Sequence, residues 1–102
     1  MTEPAAQPAP TIETVWFVEA TYAPDGAETR VPFRAEHIAR AAALKAAGTI
    51  VEIGAFTDVS SAVILVRAES EAAALDIVRA DVYVKNGVWV ELRARPFGRI
   101  AG

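Results

Sequence analysis

Two alanine-rich windows, residues 41–47 and 72–80, stand among four segments rich in β-branched and aromatic residues. That interleaving constrains the fold more than any other feature of the chain. The alanine windows have helical propensity. Segments 15–22, 49–57, 62–68 and 88–95 have the composition and alternation of strands. Turn residues separate them: Pro24-Asp25-Gly26, Gly48 just past a helix, residues 58–61, and Asn86-Gly87. Pro96 is expected to end the last strand. Pro32 is tolerated only at a helix start, so the first helix opens between Val31 and Ala35 and runs to Ala47. Ser70 caps the second helix, which lasts to about Ala80. The order is β-α-β-β-α-β. Two right-handed split crossovers turn that order into an α+β, ferredoxin-like protomer: a four-stranded antiparallel sheet, both helices on one face, strand order 4-1-3-2.

Composition narrows the class of protein. A chain of 102 residues builds one domain. With 53% hydrophobic residues and a net charge of -3, it is not a disordered chain. No apolar run is long enough for a transmembrane helix, and no basic-then-apolar secretory pattern opens the sequence. There is no cysteine, which excludes a disulfide framework and thiolate metal sites and fits a cytoplasmic setting. The acidic balance argues against nucleic acid as a partner. Residues 1–13, with Pro4, Pro8 and Pro10, read as a disordered leader ahead of a domain over 14–102.

Alternation gives the sheet two unlike faces. One row is apolar throughout: Trp16, Val18 and Ala20, then Val51 and Ile53, Ile64 and Val66, Val88, Val90 and Leu92. It belongs under the helices. The other row mixes charges with Phe17, Phe56, Leu65 and Trp89. Such an apolar patch marks a contact surface, and a homodimer joined sheet to sheet is the expected use of it.

The polar residues converge on one end of the sheet. Strand directions bring Tyr22, Arg34, His37, Ser61, Asp81 and Tyr83 to a common rim, although His37 and Asp81 are far apart in sequence. His37 is the one histidine of the chain. A lone histidine on an apolar helical stripe is ordinarily a packed core residue. Clustered with Arg, Asp, Ser and Tyr it has the makings of acid–base chemistry. His37 would act as general base or acid and Asp81 as its partner. Arg34 and Tyr22 would hold a small anionic or phenolic substrate, with Ser61 and Tyr83 beside it. No Gly-x-Ser-x-Gly elbow surrounds Ser61, no ligand spacing suggests a metal, and no glycine motif cradles a phosphate, so no cofactor is expected. The alternative use of the same cleft is a ligand-binding or regulatory module without catalysis.

At these residues the sequence resembles the YCII-related family of the dimeric α/β-barrel superfamily. The resemblance runs over residues 14–100. It rests on Tyr22-Ala23, on Arg30 through Arg34 to His37-Ile38, on Gly48 to Gly54-Ala55, on Asp81-Val82-Tyr83 with Gly87-Val88, and on Arg95-Pro96-Phe97. Val82 and Ala55 stand where that family carries proline. The resemblance implies ferredoxin-like protomers paired face to face. It also implies a cleft using His37 and Asp81, and reactions such as isomerisation, halide elimination or oxygenation of small cyclic compounds without an obligatory metal.

Overall fold

The computed structural model describes residues 9–101. Strand β1 (Thr11–Tyr22) takes partners on both sides, antiparallel to β3 (Ser61–Val66) and β4 (Trp89–Ala101). Strand β2 (Ile50–Ala55) adds to β3. The resulting order, β2-β3-β1-β4, is the expected 4-1-3-2 read from its other edge. A short helix α1 (Gly26–Thr29), a 3-10 turn (Val31–Phe33) and α2 (Arg34–Ala46) connect β1 to β2. Helices α3 (Glu71–Arg79) and α4 (Val82–Lys85) connect β3 to β4. No described helix is long and apolar enough to cross a membrane.

The junctions follow from local chemistry. Pro32 sits at the first positions of the 3-10 turn, where its missing N–H has no ladder bond to lose. Gly48 turns the chain out of α2 at φ +82°, a left-handed conformation that a side chain would resist. The Ser70 hydroxyl accepts the Ala73 N–H at 3.1 Å and caps α3. Val18, Ala20, Ile64 and Val66 on the sheet bury against Ala74 and Val78 of α3. Each large apolar group so buried contributes about 1.5–3 kcal/mol.

Two β-bulges break the simple alternation, and they correct the expected faces. In β2 the register slips between Ile50 and Glu52, so Ile50 rather than Val51 enters the core. In β4 Tyr22 pairs with Trp89 while Thr21 pairs with Glu91, leaving Val90 as the extra residue. Trp89 is therefore turned into the core at 3% exposure, and Val90 faces solvent at 60%. Trp89 does not belong to the open face. That face keeps Phe17 and Leu65, with Phe56 exposed at its margin and Phe97 beside Phe17 at 6.2 Å between ring centroids.

The outer strands also run further than expected. Pro96 does not end β4, because an edge strand has one side without ladder bonds and accommodates proline there. Beyond the last β3 pair, Trp16↔Val66, residues Thr11 to Val15 pair with Phe97 to Ala101 as a projecting two-stranded ribbon. Glu13 fastens its base: one carboxylate oxygen accepts from Arg67 Nε at 2.7 Å and the other from Arg99 at 2.8 Å. These contacts hold the Glu13 carboxyl down at about 2. Residues 11–13 of the expected leader are thus strand, and residues 1–8 lie outside the described residues.

Candidate functional site

Helix α2 packs beside β2 and leaves a hollow between them, and the reason is in its sequence. Ala41 and Ala42 follow His37 and Ile38 at i+4, so the middle of the stripe facing β2 is methyl-sized. No residue of α2 is fully buried. The gap beside β2 is a hollow of about 300 Å³, at the lower end for small-molecule sites. Its walls are largely apolar, from Ile38, Ala41, Ala42, Ile53, Ala55 and Ala62. Its polar members are Tyr22, His37, Lys45 and Trp89.

His37 and Asp81, forty-four positions apart, meet at this hollow. Nδ1 of His37 lies 2.9 Å and 3.1 Å from the two Asp81 carboxylate oxygens. Asp81 is held from the other side by its own backbone role. It leaves α3 in an extended conformation and N-caps α4, accepting the Tyr83 N–H at 2.9 Å. That cap fixes Asp81 with Val82, rather than a proline, as the next residue. Arg40, one turn beyond His37, reaches Asp81 at 3.4 Å and donates to the Ile77 carbonyl at 2.7 Å. Asp81 is 3% exposed. Burial pushes its carboxyl up, but the hydrogen bonds from His37 and the Tyr83 N–H, with the charge of Arg40, outweigh it and hold it below the usual value.

That balance fixes the tautomer. An ionised carboxylate only accepts, so Nδ1 of His37 carries the proton and donates it. In the neutral ring Nε2 then keeps a lone pair, and among the described residues no protein group hydrogen-bonds it. The ring itself is clamped. It stacks on Tyr83 at 3.9 Å and 9°, and Trp89 meets it edge-on at 5.1 Å. Burial, with Tyr22 nearby, raises the Tyr83 hydroxyl above its ordinary range. Trp89 Nε1 is buried without a hydrogen-bond partner among the described residues.

The expected site residues divide into three groups. His37 and Tyr22 line the hollow, with Asp81 directly behind the histidine. Tyr83 lies beneath the imidazole and does not reach the hollow. Arg34, the exposed first residue of α2, and Ser61, paired with Thr21 at the start of β3, do not line it either. Arg40, Lys45 and Trp89 were missed. Arg40 was signalled by its i+3 spacing from His37 and Lys45 by its i+8 spacing on the same stripe. Trp89 was hidden by the bulge. Among the described residues no three His, Asp or Glu side chains gather as a metal site.

The sheet order and the helices define an α+β ferredoxin-like protein. The model of the YCII-related domain matches residues 14–98, and the chain belongs to that family. Among solved structures, the chain is similar to 5-chloro-2-hydroxyhydroquinone dehydrochlorinase from Burkholderia phenoliruptrix AC1100, in complex with 2,5-dihydroxybenzoquinone. The match has a TM-score of 0.68 at 20% identity, over 79% of this chain and 90% of that one. At that identity the likeness speaks for the fold. No curated protein sequence matches the chain.

Proposed function

We propose that the protein is a small-molecule enzyme in which His37 moves a proton on a small phenolic or anionic substrate, by isomerisation or elimination. The observation that carries this reading is the Nδ1–Asp81 hydrogen bond of 2.9 Å on a ring that lines the hollow. Neutral His37 takes the substrate proton at Nε2, and Asp81 stabilises the imidazolium that forms. In an isomerisation His37 returns that proton to another atom of the substrate; in an elimination the leaving group departs with its bonding electron pair and His37 releases the proton to solvent. A positioned group of this kind contributes about 10²–10⁴-fold. Tyr22 and the apolar walls orient the ring of the substrate, while Tyr83 and Trp89 keep the imidazole from turning. The dehydrochlorinase named above supports the choice of substrate class.

The open sheet face supports a homodimer, with Phe17 and Leu65 at its apolar centre and Phe56 at its margin, and the cysteine-free composition is in keeping with the cytoplasm. Leu65→Arg would then sediment as a monomer at micromolar concentration where the parent sediments as a dimer. Catalysis is tested with 5-chloro-2-hydroxyhydroquinone, following chloride release. The wild-type chain releases chloride and His37→Ala does not. Equal release by both would overturn the assignment. Ligand-induced NMR shifts without product in either would favour the binding module.

A further inference from the structure

The hollow has a directional charge pattern that the proton-transfer reading does not use. Lys45 is its one permanently charged lining residue, and it is cationic. It lies on the same stripe of α2 as His37 and Ala41, eight positions and roughly 12 Å along the axis from the histidine. Its Cβ leaves the helix tilted toward the N-terminal, His37 end, while its ammonium reaches Glu52. Between the two the walls are apolar.

The chain also shows how this ammonium holds a carboxylate. Glu52, on β2 at the rim, accepts from Lys45 Nζ at 2.8 Å. In the single protomer both side chains are more than half exposed, at 51% and 65%, with Glu52 on the side of the sheet that carries Phe56 and Leu65 and Lys45 on the side of the hollow. Glu52 does not line the hollow, whereas Lys45 does. An exposed ion pair of this kind is weak and easily exchanged. Arg34, which the sequence put forward for an anion, does not reach the hollow.

We propose that Lys45 is the anion-recognising group of the hollow and that its ligands are monocyclic carboxylates, whose carboxylate replaces Glu52 on the ammonium while the ring lies over Ala41 toward His37. This rests on the acid–base reading only for the orientation it gives the substrate, since binding is measured without turnover. Lys45 is a positioning residue: it fixes which end of the ligand faces Nε2.

The test uses the full chain, with benzoate as probe and benzamide as its uncharged counterpart, followed by NMR shifts at Ala41, Ala42, Gly54 and His37. Benzoate binds wild type at least about tenfold more tightly than benzamide, and Lys45→Met removes that preference. Glu52→Gln tightens benzoate severalfold by removing the internal competitor. A merely structural ion pair would leave benzoate unaffected by Glu52→Gln. Equal affinities for the two probes in wild type, an unchanged benzoate Kd in Lys45→Met, or no binding of benzoate at these residues would each overturn the inference. Failure here with His37-dependent turnover intact leaves the proton-transfer reading standing. The converse result leaves Lys45 standing without it.

Discussion

Asp81→Asn separates the charge of Asp81 from its shape. The amide keeps the size of the carboxyl and an oxygen able to cap α4, but it loses the negative charge that receives His37 Nδ1 and the Tyr83 N–H, both at 2.9 Å. A hydrogen bond to a charged group is worth about 1.5–3 kcal/mol against about 0.5–1.5 for a neutral one. Two such bonds downgraded, with relief of the burial penalty offsetting part, give a loss on the order of 2 kcal/mol at neutral pH. The pH dependence is the sharper signature. The folded carboxyl lies below its ordinary 3.8. Its stabilisation is therefore fully present above that value and lost as pH falls through it toward the folded-state value. The stability gap between the two proteins, from urea unfolding between neutral pH and about pH 3, is widest at neutral pH and closes in acid. A gap that stays constant down to acid, or a variant more stable at neutral pH, would refute the reasoning.

Three further outcomes are expected. Gly26→Ala places a methyl 2.8 Å from Tyr22 Cδ1, so thermal unfolding should show a loss of about 1–3 kcal/mol, with disturbed NMR signals from Tyr22. Glu13→Gln breaks the clamp to Arg67 and Arg99, so amide hydrogen exchange should quicken at Ile12 and Ile100 in the ribbon but not in β3. Ser70→Ala removes the α3 cap and should cost about 1 kcal/mol in chemical denaturation, leaving ligand binding at α2 unchanged.

The strand and helix order was legible because it depends on propensity and turn chemistry, both local. The meeting of His37 with Asp81 was legible because topology alone assigns both to one rim. What alternation does not contain is an extra residue in a strand. Val90 reads as core and Trp89 as surface until pairing with β1 inserts the bulge. The same holds for Ile50 and Val51. The length of β4 past Pro96 depends on β4 being an edge strand, which is a property of the assembled sheet. The hollow itself could not be read from residue types, because small alanines look alike whether they admit a neighbour or leave space.

The edge contact between Trp89 and His37 gives the molecule an optical gauge of its own electrostatics. An indole in contact with imidazole loses emission to the cation far more than to the neutral ring. Trp16, the other tryptophan, donates instead to the Ala68 carbonyl at 3.2 Å, so Trp16→Phe leaves Trp89, beside the histidine, as the single tryptophan. Its brightness then reports, without label or substrate, when the imidazole gains or surrenders charge and when a bound molecule changes that balance.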